Sequence, residues 1–284
     1  MSRKSPSPSP PTAKPELEPL VRFPLEQRRS IRHVLTDIDD TLTREGRLQA
    51  EAYTALERLQ AAGLNVVAVT GRPAGWCDHI ARMWPLAGVV GENGALYYRY
   101  DAHARRMERR YWKSATERAQ DRRRLEAVQR DILAQVPGSA VATDQAWREA
   151  DLAIDFCEDV PPLPREAVLR IAGIFHAAGA SAKISSIHVN GWFGDYDKLS
   201  MSRVFFREAL GVDLDAERER TVYCGDSPND EPMFAHFPHG VGVANVRETV
   251  DLMRRRPRWI TERSHGEGFA ELAAALLEAR GGCR

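Results

Sequence analysis

Cysteine is scarce in this sequence and forms no recognisable pattern. The four cysteines, Cys77, Cys157, Cys224 and Cys283, are scattered over 284 residues and include no C-x-x-C pair. Structural zinc sites and disulfide-bonded secreted domains both need closely spaced or numerous cysteines. The sequence therefore argues against both and favours a reducing compartment.

The chain also lacks a net charge and a long apolar run. Lys and Arg together number 40, and Asp and Glu together number 40, so the formal charge is zero. Nucleic-acid partners demand an excess of positive charge, and we expect none here. No apolar stretch approaches the roughly 20 residues that a membrane helix needs, and no apolar signal segment is present. We expect a cytoplasmic protein without a membrane partner, whose oligomeric state the sequence leaves open.

Proline, by contrast, is concentrated near the N-terminus. The stretch "SRKSPSPSPPTAKPELEP" carries six prolines in eighteen residues and few bulky apolar side chains. Such a segment cannot bury enough apolar surface to offset the entropy lost on ordering. We therefore predict a disordered Ser/Pro-rich tail over residues 1–28, either passive or serving as a regulatory or interaction segment.

Strands and helices alternate from residue 31 onward. "RHVLTD" and "LNVVAVTG" are typical of buried strands, and an amphipathic helix pattern lies between them. Such alternation predicts a parallel sheet covered by helices. The alternation breaks near residue 95, where "ALYYRYD" and "RRMERRYW" indicate a hairpin that opens an inserted block. The fold prediction is α/β: a Rossmann-like core over residues 29–96 and 194–284, with an inserted α+β cap over 97–193.

Acidic side chains are packed closely behind the first predicted strand. Asp37, Asp39 and Asp40 fall within four positions of "HVLTDIDDTLT". Like charges repel and resist desolvation, so folding alone would not select this arrangement. Ligands of open α/β sheets bind at the carboxyl ends of the strands, where these residues are expected. A cation, or a reaction that needs neighbouring carboxylates, would account for them.

Three further polar groups are predicted near the same edge of the sheet. Thr70, Gly71 and Arg72 follow the second strand, Lys198 begins a helix, and "GDSPND" supplies Asp226, Ser227, Asn229 and Asp230. Asp37 and Asp226 could provide the hard oxygen ligands that Mg²⁺ prefers. An aspartate can also act as a nucleophile and form an aspartyl-phosphate, with Lys198 offsetting negative charge. The inventory suits phosphoryl transfer.

Four motifs carry a family resemblance. "DIDDT", "VTGR", "DYDK" and "GDSPND" resemble, in order, the four signature motifs of the haloacid dehalogenase (HAD) phosphohydrolase superfamily. "GENGA" and "GVGVANVRETV" resemble its Cof-type, class IIB branch, in which a large cap lies between the second and third motifs. The inserted block over 97–193 occupies that position.

The resemblance implies roles for individual residues. Asp37 would be the nucleophile, and Asp39 the general acid/base whose backbone carbonyl also binds Mg²⁺. Asp226 would be the third metal ligand, and Asp230 would belong to the metal site in support of it. Thr70 would hydrogen-bond the phosphoryl group, Lys198 would neutralise it, and further substrate-binding candidates are Gly71, Arg72 and Asn229.

One position departs from the family pattern, since Asp40 stands where Gly is usual. If the backbone there needs a positive φ, Asp is among the few side chains that tolerate it.

The predicted cap offers less direct evidence. His188, Asn190 and Trp192 alternate along one predicted strand and therefore share a face. They would either bind a hydroxylated leaving group or pack the cap against the core; His188 and Trp192 are taken as substrate-binding candidates.

The resulting hypothesis is a Mg²⁺-dependent phosphatase acting on a small phosphorylated metabolite. A sugar phosphate or sugar-acid phosphate leads, because class IIB relatives include sucrose-, trehalose- and mannosylglycerate-type phosphatases. The alternatives are a phosphomutase, a nucleotide or pyridoxal-type cofactor phosphatase, and a catalytically silent binding protein of the same fold.

Overall fold

The computed structural model describes residues 17–281. Its strands are β1 (Glu18–Pro19), β2 (His33–Thr36), β3 (Thr43–Arg44), β4 (Arg47–Leu48), β5 (Asn65–Val69), β6 (Gly88–Gly91), β7 (Leu96–Asp101), β8 (Arg106–Tyr111), β9 (Ala140–Val141), β10 (Leu152–Asp155), β11 (Ser181–Ile184), β12 (His188–Trp192), β13 (Thr221–Gly225), β14 (His239–Gly242) and β15 (Trp259–Ile260). Its helices are α1 (Leu25–Ser30), α2 (Ala50–Ala61), α3 (Ala74–Met83), α4 (Ala115–Gln135), α5 (Arg165–Ala177), α6 (Lys198–Phe205), α7 (Glu231–His236) and α8 (His265–Ala279).

A nine-stranded sheet forms the centre of the molecule, in the order β1-β15-β14-β13-β2-β5-β6-β7-β8. Every neighbouring pair from β1 to β6 is parallel. A parallel sheet must be covered on both faces, and two apolar clusters do so. One contains Leu56 of α2 and Leu272 of α8, and the other contains Phe205 of α6 and Met233 of α7. The predicted Rossmann-like core is confirmed.

The N-terminal segment differs from its prediction. Residues 1–16 of the predicted tail lie outside the described residues, but residues 17–28 are ordered. The short strand β1 pairs with β15, and Leu20 and Phe23 are buried, with Phe23 stacked on Trp259 at 5.1 Å between ring centroids. Pro19 is tolerated because β1 is an edge strand. The prediction of disorder is wrong for residues 17–28, because two apolar side chains anchor a proline-rich stretch.

The hairpin of β7 and β8 also lies elsewhere than predicted. It pairs antiparallel with β6 and so extends the central sheet, with Leu96, Tyr97 and Tyr98 buried. A separate four-stranded antiparallel sheet, in the order β11-β12-β10-β9, packs with α4 and α5 around a third apolar cluster. We therefore propose that the inserted cap begins after β8 and not at residue 97; below, "cap" means residues 112–193.

Within residues 17–281, no helix combines the length and the apolar character required to cross a lipid bilayer.

Candidate active site

The predicted site residues converge because their strands are neighbours. In the sheet, β2 lies between β13 and β5, so their carboxyl ends meet at one edge. Asp37 follows β2, Thr70 follows β5 and Asp226 follows β13, and all three are buried. The backbone N–H of Asp37 donates to the Cys224 carbonyl at 2.9 Å, which continues the ladder one residue past the strand. This hydrogen bond to β13 thus fixes the position of Asp37.

Lys198 provides the cation of this edge. It is the first residue of α6, whose start is fixed by Asp197, because the Asp197 side chain accepts from the Ser200 N–H at 2.7 Å. The buried Lys198 Nζ lies 3.0 Å from Asp37 Oδ1 and 2.6 Å from Asp230 Oδ1. Burial alone would lower the pKa of Lys198, but the charges of Asp230 and Asp37 outweigh it and raise that pKa. The ammonium is therefore charged.

Three carboxylates lie close together here, and two of them, Asp37 and Asp230, contact Lys198. Asp37, Asp226 and Asp230 bring oxygen atoms within 4.8 Å of one another, a grouping that could hold a metal ion. Burial raises the pKa of Asp37 to about 8, with Lys198 opposing the shift. Burial, and then the charges of Asp230 and Asp37, raise the pKa of Asp226 well above its usual range. A divalent cation would stabilise the ionised forms, and carboxylate oxygens are the donors that Mg²⁺ prefers.

Asp230 differs from the other two carboxylates because protein donors already occupy it. Its Oδ1 accepts from Tyr223 OH at 2.5 Å and from Lys198, and its Oδ2 accepts from the backbone N–H groups of Asp226 and Ser227. Asp226, in contrast, accepts on Oδ1 from Thr41 Oγ1 at 3.1 Å. Asp230 thus orients the loop that carries Asp226, which fits the supporting role expected for it better than direct metal ligation.

Arg72 joins the core to the cap. Its buried guanidinium donates from Nε to both oxygens of Asp39 at 2.9 and 3.0 Å, and from Nη2 to Glu158 Oε1 at 2.8 Å. His188 Nε2 lies 2.8 Å from the other Glu158 oxygen. Burial alone would raise the pKa of Glu158, but the hydrogen bonds from His188 and Arg72 outweigh it and hold that pKa at about 2. Asp144 Oδ2 lies 3.5 Å from Arg72 Nη1, so three carboxylates surround this guanidinium.

A second arginine holds the cap against the loop after β5. Arg148 Nη1 donates to the Gly71 carbonyl at 2.8 Å. The same guanidinium pairs with Asp144 at 2.9 Å and with Asp151 at 3.0 Å, and Asn190 Nδ2 donates to Asp151 at 3.0 Å. All of these cap side chains are buried. The position of Gly71 therefore depends on a cap residue.

Glu92 adds a further connection through its carboxylate. The side chain accepts from four backbone N–H groups, at 2.7 to 3.2 Å, belonging to Ala74, Glu149, Ala150 and Asp151. Ala74 begins α3, whereas the other three donors belong to the cap. One buried side chain therefore fixes a core helix and a cap loop together.

Most of the predicted residues line one narrow cleft between core and cap. Asp37, Asp39, Gly71, Arg72, His188 and Asn229 border it, with Arg148, Ser185, Ile187 and Asn190. The cleft has a volume of about 10 Å³, room for about one water molecule. The structure is thus a closed arrangement that must open before a phosphoryl group can reach Asp37. A larger cavity, of about 870 Å³ beside His33 and Asn65, is lined by none of the predicted residues.

Trp192 is a correction to the sequence prediction. Its side chain is 1% exposed, its ring stacks on Tyr196 at 5.6 Å between centroids, and its indole N–H donates to the Tyr196 carbonyl. The strand alternation identified its face correctly, but a neighbouring aromatic ring fills the space in front of it. Trp192 packs the cap and is not available to a substrate, whereas His188 reaches the cleft.

Two other predicted positions are clarified by the backbone. Asp40 has a φ of 54°, so the position does take the left-handed conformation that Gly usually serves. Its carbonyl accepts from Asn245 Nδ2 at 2.9 Å, which holds the turn. Thr70 Oγ1 accepts from the Arg72 N–H at 3.0 Å and so shapes the loop that carries Arg72.

Sequence reasoning missed several residues of the site. Thr41 and Glu92 lie inside "DIDDT" and "GENGA", so attention to every motif position could have found them. Glu158 and Arg148 lie in irregular segments of the cap, where neither spacing nor a motif marks them. Their partners, Arg72 and Gly71, are 86 and 77 residues away along the chain.

Parts of the chain match two family models, and two curated proteins are similar to it over most of its length. Residues 34–121 match the family model described as haloacid dehalogenase-like hydrolase, and residues 205–279 match that of sucrose-6F-phosphate phosphohydrolase. A phosphoglycolate phosphatase of Haloarcula marismortui is 26% identical over 246 residues, covering 85% of this chain and 95% of its own. Another, from Methanoculleus marisnigri, is 23% identical over 245 residues, covering 85% and 94%.

Solved structures share the fold over nearly the whole chain. A Thermoplasma acidophilum protein superposes with a TM-score of 0.65 at 19% identity, covering 88% of this chain and 99% of its own. The sucrose-phosphatase of Synechocystis, solved with sucrose and phosphate, has a TM-score of 0.60 at 16% identity, covering 87% and 98%. A HAD subclass IIB sugar phosphatase has a TM-score of 0.58 at 16% identity, covering 88% and 99%. These matches confirm the resemblance to the haloacid dehalogenase-like hydrolases and support a phosphatase activity.

Proposed function

We propose that this phosphatase is Mg²⁺-dependent and hydrolyses a small phosphomonoester through an aspartyl-phosphate on Asp37. The observation that carries the proposal is the contact of Asp37 Oδ1 with the buried ammonium of Lys198, beside Asp226 at the same edge of the sheet. Lys198 holds one oxygen of Asp37 and leaves the other free to attack. Both the location and the charge pattern are those that a covalent phosphoryl step requires.

The first chemical step is a displacement at phosphorus. The free oxygen of Asp37 forms a bond to phosphorus while the bond to the leaving oxygen breaks, and that oxygen takes a proton from Asp39. Lys198 stabilises the negative charge that gathers around the phosphoryl group. Mg²⁺ held by Asp37, Asp226 and the Asp39 carbonyl would supply further positive charge.

The second step returns the enzyme to its starting state. Asp39, now ionised, takes a proton from a water molecule, and the oxygen of that water attacks phosphorus. The bond between phosphorus and Asp37 then breaks, and inorganic phosphate is released. In the closed structure Arg72 Nε donates hydrogen bonds to both oxygens of Asp39. We propose that this contact loosens during turnover, so that an Asp39 oxygen can reach the leaving group.

The proposed substrate is a small phosphorylated metabolite of the cytoplasm, with a sugar phosphate or sugar-acid phosphate leading. The structural similarity to sugar phosphatases supports it. Phosphoglycolate is a second candidate, because two relatives at 26% and 23% identity are phosphoglycolate phosphatases.

The test is phosphate release from a panel of phosphorylated metabolites and from p-nitrophenyl phosphate. Mg²⁺ ligands here are few, so binding should be reversible, and excess chelator should abolish activity that added Mg²⁺ restores. Acid quenching during turnover should trap a phosphoenzyme. Undiminished turnover in chelator would remove the metal from the mechanism, and phosphoryl return to the substrate without release would identify a phosphomutase.

A further inference from the structure

The cavity of about 870 Å³ lies at the opposite edge of the central sheet from the candidate active site. His33 begins β2 and Asn65 begins β5, and both border this cavity, whereas Asp37 follows the other end of β2. The four residues of β2 separate the two places by roughly 13 Å. The volume lies within the roughly 300–1,000 Å³ of typical small-molecule sites. The cavity is therefore separate from the catalytic cleft and large enough for a metabolite.

The walls of this cavity carry more cations than anions. Four arginines border it, Arg29, Arg32, Arg220 and Arg280, against two carboxylates, Asp213 and Glu217. The chain as a whole has no net charge, so this excess is a local property. Positive side chains gathered around a concave surface attract anions and raise their local concentration.

Contacts within the protein leave these guanidinium groups available to a ligand. Two of the four form ion pairs, with Glu26 at 3.3 Å and Glu217 at 3.2 Å, and such solvent-accessible pairs contribute little free energy. Arg280 donates to the carbonyl of Ile31, which leaves its charge without a carboxylate. Within residues 17–281, the exposed side chain of Arg32 makes no hydrogen bond and no ion pair. An anion could therefore bind here without breaking a buried contact.

A buried histidine adds a hydrogen-bond donor to the cavity. Only 5% of the His33 side chain is exposed, and Asn65 Nδ2 donates to its Nδ1 at 3.1 Å. Burial lowers the pKa of His33, so the ring is neutral at pH 7 and carries its hydrogen on Nε2. Nε2 faces Glu217 Oε2, but their distance of 3.7 Å is too long for a hydrogen bond. In the described part of the chain, this N–H and the buried Glu217 Oε2 both lack a partner.

The helix that carries Lys198 also ends at this cavity. A π-helical turn, Phe206–Leu210, extends α6, and Gly211 ends it with a φ of 66° and borders the cavity. Phe206 packs edge-on against the His33 ring, at 5.1 Å between centroids. Turns of this kind are rare and frequently occur at functional sites. The segment that begins in the candidate active site therefore shapes the second cavity as well.

We infer that this cavity is a second ligand site, which binds a small organic polyanion that also carries hydroxyl groups. The anionic groups of the ligand pair with Arg32 and the neighbouring arginines, because guanidinium groups bind phosphate and carboxylate alike. One ligand oxygen accepts from His33 Nε2, and one ligand hydroxyl donates to Glu217 Oε2. Phosphorylated sugars and hydroxylated polycarboxylic acids share this chemistry. The site is not catalytic, because none of the three carboxylates grouped around Lys198 borders it.

Titration calorimetry on the full chain, dialysed free of divalent cations, measures this binding apart from turnover. The probes are fructose 1,6-bisphosphate, citrate, inorganic phosphate and uncharged fructose. At least one of the two polyanions should bind about tenfold or more tightly than inorganic phosphate, and fructose should not bind. Binding of the bisphosphate alone would assign the phosphorylated class, and binding of citrate alone the polycarboxylic class. Failure of both polyanions, or an equal affinity for inorganic phosphate, overturns the inference.

Arg32→Gln then tests where the polyanion binds. Arg32 is exposed, so the fold should be retained, and the affinity should fall about tenfold because a charged partner is lost. The matched control is Arg123→Gln, an exposed arginine of α4 that does not border the cavity, and it should leave the affinity unchanged. The nitrogen NMR signal of His33 Nε2 should shift when the ligand is added. An unchanged affinity in Arg32→Gln, equal weakening in both variants, or binding without a shift at His33 overturns the inference.

Discussion

The buried carboxylates on the core side of the cleft are paired with cations less completely than the carboxylate on the cap side. On the core side, three carboxylates lie together, only two of them contact the ammonium of Lys198, and burial raises the pKa of Asp37 to about 8. On the cap side, Glu158 receives Arg72 and His188, and its pKa is held at about 2. The core group has more carboxylates than cations, so it has room for a metal ion beside a phosphoryl group. In the cap group, the carboxylate of Glu158 already has its partners, and its contact with Arg72 links the cap to the core.

The largest expected effect comes from the incomplete side. Asp37→Asn replaces the nucleophile by an amide, and we expect activity to fall by on the order of 10⁴-fold or more. No phosphoenzyme should form, as measured by acid quenching and intact-protein mass. A phosphoenzyme trapped in this variant would assign the nucleophile to another residue. The core carboxylates would then not be the reactive group.

The next largest effect concerns stability. Lys198→Met removes the cation shared by Asp37 and Asp230, and breaking a buried pair leaves uncompensated charge worth about 3–5 kcal/mol. The free energy of unfolding, measured with denaturant, should fall by that amount. Its control lies on the same helix: Arg203→Met at the exposed pair with Asp215 should cost less than about 1 kcal/mol. Equal losses in the two variants would mean that the core charges are not special.

The smallest effect is expected on the cap side. Glu158→Gln should destabilise the protein by on the order of 1–2 kcal/mol at neutral pH, because Arg72 and His188 lose a charged partner. The pKa of Glu158 is about 2 when folded, against an ordinary 4.5. Its contribution is therefore present above about pH 4.5 and is lost as the pH falls towards 2.

Thermal midpoints of wild type and Glu158→Gln, measured from pH 7 to pH 3, check this sign. The difference should be constant near neutrality and shrink below about pH 4.5. The cap offers a matched control in Glu149→Gln, which removes an exposed partner of Arg118 at 3.5 Å and should have little effect. A difference that grew on acidification would reverse the assignment of Glu158 as the ionised partner.

The same contrast explains what the sequence could predict. Asp37, Thr70 and Asp226 each follow an apolar strand directly, so the rule for parallel sheets locates them without knowledge of packing. Glu158 and Arg148 depend on which loop reaches which across the cleft, and no local pattern encodes that. The predictions for residues 17–28 and for Trp192 are wrong for a related reason. In each case an aromatic partner decides the environment: Trp259, far along the chain from Phe23, and Tyr196, four residues beyond Trp192.

The carboxylate of Glu92 has a mechanical consequence. Because it binds the first N–H of α3 and three consecutive N–H groups of residues 149–151, these segments must move as one body while the four bonds persist. Arg148 belongs to the same body and donates a hydrogen bond to the Gly71 carbonyl. A cap that opens with these bonds intact must therefore pivot elsewhere, and the motion would separate Glu158 and His188 from Arg72. The cleft would then open on the side of Asp39, with the loop after β5 held still.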